Sequence, residues 1–120
     1  MTIIHDNRRC AISVEEHTGS IRFLRDVDPA ATLPPFVGKC TYTRLSESEV
    51  IITGLAGNGI TRAHLRLIVR WAHGAGYHWL YARRLPGHTL PMATLRRVRP
   101  LQGWYEVDID RVIKLLPRPD

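Results

Sequence analysis

The sequence predicts an α+β domain, with a mixed, mostly antiparallel central sheet, one long helix and one short helix. Three observations carry this. The N-terminal half holds short alternating runs separated by turn residues. A β-branched run, Val50-Ile51-Ile52-Thr53, then leads through glycines into one long amphipathic stretch. A second strand-like run follows that stretch at once, and a strand–helix–strand crossover is almost always parallel and right-handed. Hairpins add antiparallel strands to that parallel pair, so the sheet is mixed.

Taken in order, Ala11-Ile12-Ser13-Val14 alternates, Thr18-Gly19-Ser20 turns, and Ile21-Arg22-Phe23-Leu24 returns, which is a hairpin pattern. Asp28-Pro29 to Pro34-Pro35 is a proline-bearing connection. Phe36-Val37 and Cys40-Thr41-Tyr42-Thr43 predict a further strand, and Ser46-Glu47-Ser48-Glu49 is the polar turn before Val50. The run Val50 to Thr53 is apolar on both faces, as a central strand requires. A helix is predicted from about Ile60 to Ala75. Ile60, Ala63, Leu67 and Trp71 recur at helical spacing, Ile68 and Ala72 widen the stripe, and Arg62, Arg66 and Arg70 mark the solvated face. Gly74 and Gly76 end it.

Tyr77 to Ala82 is the next strand; its Tyr77, Trp79 and Tyr81 share one face, which suits covering the long helix. Leu85-Pro86-Gly87 breaks it. Ala93 to Val98 predicts a short helix closed by Pro100, and Trp104 to Ile109 a final strand. Val112 to Leu116 extends that strand or folds back as a hairpin, and Pro117 to Asp120 is tail. The whole, 1–120, is one domain, with a β-rich half (1–54) and a loop–helix–strand half (55–120).

Composition narrows the function. The 120 residues are 44% apolar and 23% charged, with a net charge of +6. From Val50 to Tyr105 there is no Asp or Glu, while Arg62, Arg66, Arg70, Arg83, Arg84, Arg96, Arg97 and Arg99 lie inside. So one-sided a segment points to an acidic partner: a phosphorylated cofactor, nucleic acid or an acidic protein. Cys10 and Cys40 form no metal or redox spacing and read as free thiols. The six histidines show no H-E-x-x-H and no Cys/His cluster, so no metal is expected. The start, MTIIHDNRRC, turns polar at once, and no apolar run approaches membrane length. The expected location is cytoplasmic, with no membrane partner.

The stretch Gly57-Asn58-Gly59-Ile60-Thr61-Arg62 supplies the sharpest hypothesis. Gly57 and Gly59 permit close backbone approach. The amides of Asn58 to Arg62, at the start of an arginine-studded helix, suit an anion such as phosphate. A plain tight turn from strand to helix is the competing reading.

The segment from Val50 to Arg84 resembles the cofactor-binding core of the GNAT acyltransferases. Gly57 to Leu65 is similar to that family's glycine loop and helix start, Trp71 to Tyr77 to its helix end, and Leu80-Tyr81-Ala82 to its diverging strand. Ala93 to Ile109 is similar to the last helix and returning strands. The resemblance implies binding of acetyl-CoA or another acyl-CoA, with the loop amides on the pyrophosphate and the pantetheine arm in a wedge between strands. It implies that Gly54 or Leu55 polarises the thioester carbonyl, and that Gly57, Asn58, Gly59, Ile60, Thr61 and Arg62 hold the cofactor. Arg96, with Arg97 and Arg99, would grip the 3′-phosphate or a nucleic-acid backbone, and a plain solvated face is the competing reading. Ala56 and Thr61 stand where the family usually has Gln or Arg and Gly or Ala, and Arg96 stands where it usually has a proton-donating Tyr.

If an acyl group moves to an acceptor amine, a base is needed, and Glu47 or Glu49, His78 and Glu106 are the candidates. Each is also an ordinary surface or packed residue. The short N-terminal half lacks the family's two acceptor-site helices. It resembles the trimmed members found in phage genomes, which leaves open an inactive module acting on an acidic protein partner. A basic nucleic-acid-binding domain is the remaining alternative. An open edge strand would let two copies pair as a homodimer.

Overall fold

The computed structural model describes residues 2–6, 10–25, 36–57, 61–83, 93–97 and 99–116. Strands β1 (Thr2–His5), β2 (Cys10–Glu15), β3 (Ser20–Arg25), β4 (Phe36–Arg44) and β5 (Glu49–Gly57) form a continuous antiparallel meander. Helix α1 (Arg62–Gly74) crosses over, and β6 (Trp79–Ala82) pairs parallel with β5. β7 (Thr94–Leu95) and β8 (Tyr105–Asp108) follow, then helix α2 (Ile109–Leu115). The sheet has eight strands in the order β1-β2-β3-β4-β5-β6-β8-β7. The fold is α+β, mixed and mostly antiparallel, with one long and one short helix. Among the described residues, no helix is long and apolar enough to cross a membrane.

Both helices contribute to one core on one face. Alternate residues of the strands, from Ile12 and Val14 through Phe23, Val50 and Ile52 to Leu80 and Val107, meet Leu65, Ile68 and Trp71 of α1 and Ile109 and Val112 of α2. Period-two alternation puts the intervening residues on the other face. There Arg22, Lys39, Thr41, Thr43 and Thr53 stand exposed. Cys10 and Cys40 are buried free thiols, and burial pushes the Cys40 thiol up to about 12.

Several expectations are corrected. β1 was not foreseen; it pairs with β2 over Thr2 to His5. No helix forms at Ala93 to Leu95. Thr94 and Leu95 pair with Glu106 and Tyr105, and the Arg96 and Trp104 backbones close the hairpin (Arg96 N–H to Trp104 O, 2.7 Å). The short helix lies instead over Ile109–Leu115, where a strand or hairpin was expected. Asp108 caps it by accepting the Arg111 N–H at 3.3 Å, and Asp110 in its first turn and Lys114 in its last suit the helix dipole.

Of the three aromatic residues, Trp79 and Tyr81 do not cover α1. Leu80 and Ala82 do, while Trp79 and Tyr81 project from the opposite face. Tyr77 lies before the strand and packs against Trp71. Gly74 is the last helical residue, and Gly76, at φ +92°, makes the left-handed exit.

Gly57 is the end of β5 rather than the start of a loop. It has φ +143°, and a Cβ there would lie 2.5 Å from the Gly38 Cα and closer still to the Val37 carbonyl oxygen. Gly57 is therefore required by the close approach of β4, its partner through Gly38. Gly57→Ala is expected to cost about 1–3 kcal/mol, from the strained backbone together with the collision. Urea unfolding checks this; an unchanged midpoint would show that β4 and β5 are not locked there.

Candidate functional site

The parallel contact is short. Glu49, Val50, Ile51 and Ile52 face Trp79, Leu80, Tyr81 and Ala82, and there the pairing stops. Among the described residues, β5 runs on to Gly57 with only β4 beside it. The two strands part at their carboxyl ends, and a cleft of about 350 Å³ opens, lined by Ile52, Thr53, Gly54, Leu55, Arg83 and Trp104. Crevices at the carboxyl ends of parallel strands are common ligand sites.

A bulge shapes one wall. Lys39 pairs with Ala56 but Thr41 with Thr53, so β5 has one more residue than β4 across this interval. Gly54, at φ +66°, lies in it. The phase of β5 inverts: Val50 and Ile52 enter the core before the bulge, and Leu55 packs against it after. A bulge takes a residue out of the ladder and re-aims the backbone beside it, which is why bulges recur near active sites. Thr41 and Thr53 hydroxyls, 2.8 Å apart, tie the strands just before it.

Of the loop amides expected to hold a phosphate, Asn58, Gly59 and Ile60 lie outside the described residues. Thr61 is the N-cap of α1 and makes a capping box with His64. Its own N–H donates to His64 Nδ1 at 3.0 Å, and its hydroxyl accepts the His64 N–H at 3.4 Å. The Thr61 amide is thus already used within the protein. Arg62 follows it, exposed, as the first helical residue.

His64 itself is fully buried. Since Nδ1 accepts from Thr61, the ring proton sits on Nε2, which donates to the Leu24 carbonyl at 2.7 Å. Cys10 Sγ lies 3.2 Å from the same nitrogen, and Phe23 packs edge-on at 5.5 Å. One imidazole joins the start of α1 to β2 and β3. The signal in the sequence is a histidine three positions after a threonine, the spacing of a capping box.

Three of the candidate bases, Glu49, Glu106 and His78, are engaged. Glu49 accepts the Tyr81 hydroxyl at 2.8 Å and the Ser46 hydroxyl at 2.9 Å, and these bonds hold its carboxyl below the usual range. Burial, helped by the neighbouring Glu49, pushes the Tyr81 phenol up to about 12. Glu106 pairs with Arg96 at 2.9 Å. Arg96 also donates to the Pro100 carbonyl and lies 5.6 Å over the Tyr81 ring. Glu49, Tyr81, Arg96 and Glu106 therefore form one cluster on the helix-free face. Tyr81, the tyrosine sequence reasoning left out of the site, is its centre.

Arg83 and Trp104, two residues beyond Tyr81 and Glu106, line the cleft, so cluster and cleft are neighbours along the strands. His78 is elsewhere. It pairs with Asp110 at 2.7 Å before β6 begins, five residues from Arg83, or roughly 16 Å of extended chain. Glu47 is exposed in the turn before β5, and Arg97 and Arg99 are exposed near the β7–β8 turn. Among the described residues, no group of three or more His, Cys, Asp or Glu side chains is placed to hold a metal ion.

No protein-family model matches the chain, and neither does any curated protein or solved structure.

Burial is the main cause holding the His64 pKa below its usual 6.5. The folded state therefore prefers the neutral ring. This contribution is complete above pH 6.5 and is lost as pH falls through the lowered folded value. The melting temperature should fall between pH 7 and pH 5, above the range where Glu16 and Glu49 titrate. In His64→Gln the protein should be less stable at pH 8 but flatter across that window. An equal slope in the variant would assign the effect to another group.

Proposed function

We propose that this chain binds an acyl-CoA or a similar acyl thioester in the β5–β6 cleft, in the manner of the GNAT acyltransferases it resembles. The observation that carries the reading is the parting of two parallel strands after four residues, beside a glycine bulge. The cleft suits a slender apolar arm such as pantetheine. Ile52 and Leu55 offer apolar wall, and Arg83 offers a cation for a phosphate. The backbone of Gly54 and Leu55, taken out of register by the bulge, is the natural partner for the thioester carbonyl. Arg62 and the first turn of α1 follow β5 by a few residues, so a diphosphate beyond the cleft would meet the positive end of the helix.

Transfer would proceed by attack of an amine on the carbonyl carbon, cleavage of the C–S bond and protonation of the thiolate. Tyr81 is a neutral phenol and the ionised Glu49 holds its hydroxyl, so the pair is fit to pass a proton along this face. A second reading, a module that binds without transferring, draws on one fact: Glu49, Glu106 and His78 are each already paired inside the protein.

Acetyl-CoA or CoA should raise the melting temperature, by the equivalent of about 2.7 kcal/mol at ligand a hundred times Kd. Thr53→Trp, at an exposed position lining the cleft, should leave the fold intact and abolish the shift. Release of free thiol from acetyl-CoA in the presence of an amine separates transfer from binding, and should fall at least tenfold in Tyr81→Phe. No shift with either ligand at millimolar concentration would reject the thioester reading. A polynucleotide that binds instead, with affinity collapsing as salt rises, would favour the nucleic-acid alternative.

A further inference from the structure

A second cleft, of about 420 Å³, lies at the other end of α1 from Thr61. Its volume is in the range of pockets that enclose small organic molecules, about 300–1,000 Å³. Nothing in the acyl-thioester reading uses it. Its floor is aromatic: Trp71 lies 4.5 Å from Tyr42 and 6.0 Å from Tyr77, both tilted. Charge of both signs lines it, Glu16 from the turn after β2 and Arg70 from the last turns of α1. The Glu16 carboxyl accepts the Thr2 hydroxyl, which holds its pKa below the usual range.

Gly74 gives the independent indication. It lines this cleft from the last turn of α1. Its backbone is helical, with no positive φ, and among the described residues a Cβ added there meets no atom within 4 Å. Neither conformation nor packing asks for glycine, the residue helices tolerate worst after proline. A larger side chain at this position would stand at the cleft itself. The negative end of the α1 dipole lies at the same place and favours a cationic group.

We propose that this cleft binds a small zwitterion with a flat apolar body, of the aromatic α-amino acid class. Its ammonium meets Glu16, its carboxylate meets Arg70, and its ring lies against the Tyr42–Trp71–Tyr77 floor. The two charges set the ligand's polarity, the aromatic trio its body, and the volume its size.

Calorimetry on the full chain tests this with L-tryptophan and L-phenylalanine as probes. Phenethylamine, which lacks the carboxylate, 3-phenylpropionate, which lacks the amine, and glycine, which lacks the body, are the comparators. Saturable binding of at least one aromatic amino acid is expected, with both single-charge analogues about tenfold or more weaker and no heat from glycine. Gly74→Leu should fold with a melting temperature at or above the parent's and lose the binding. Arg70→Gln should weaken the amino acids about tenfold and leave phenethylamine unchanged. No binding of either amino acid up to about 10 mM, or full binding by a folded Gly74→Leu, would overturn the proposal. Phenethylamine binding as tightly as the amino acids would overturn the zwitterion and leave an organic cation as the occupant.

Discussion

Parallel pairing between β5 and β6 lasts four residues, and the architecture is arranged around that short contact. Two parallel strands cannot be joined by a tight turn, so the chain must leave the sheet, cover a face and return. α1 makes that journey and becomes the main cover of the core. The contact is too brief to hold the strands together along their full length. Among the described residues, β5, nine residues long, continues beside β4 alone, while β6 has four. The cleft is the space this inequality leaves, and the bulge at Gly54 determines which backbone faces it.

The start of α1 depends on a second contact, buried at its N-cap. His64 uses both ring nitrogens, one toward Thr61 and one toward the Leu24 carbonyl. The arrangement demands a neutral ring in one tautomer, because a protonated Nδ1 would face the Thr61 N–H donor to donor. It also places the first helical turn relative to β3 rather than to β5, its sequence neighbour. The helix end nearest the cleft is therefore held from across the sheet. Charge on that buried imidazole would loosen the element on which any anion contact at the helix start relies.

Much of this fold was legible in the sequence where a local period was strong. The hairpin of β2 and β3, the β-branched strand, the long helix and the parallel return are written in alternation and in helical spacing. Elements that depend on distant partners were not legible. β1 carries only four residues, too few for a period to stand out although Asp6-Asn7 after it is a turn signal, and β7 is a strand only because β8 offers it an edge. α2 was misread although Asp108, Asp110 and Lys114 mark its ends, because Val107 and Ile109 fit a strand as well as a helix. Of the candidate site, Gly54 follows the β-branched run and could be singled out from the sequence, whereas the reason for Gly57 could not: it answers to Gly38 on another strand. The Glu49–Tyr81–Arg96–Glu106 cluster arises from cross-strand register, which one-dimensional spacing does not encode.

The two margins of the sheet are unequal, and that has a consequence for assembly. Among the described residues, one margin is β1, four residues with Ile3 exposed and neither lysine nor proline to blunt it. The opposite margin is β7, only two residues long. Open-ended stacking of chains requires two competent borders on every molecule, one to receive and one to offer. Among the described residues the sheet has a single such border, so growth along its hydrogen-bonding direction is self-limiting: a chain joined to β1 leaves no comparable border on the far side for a third.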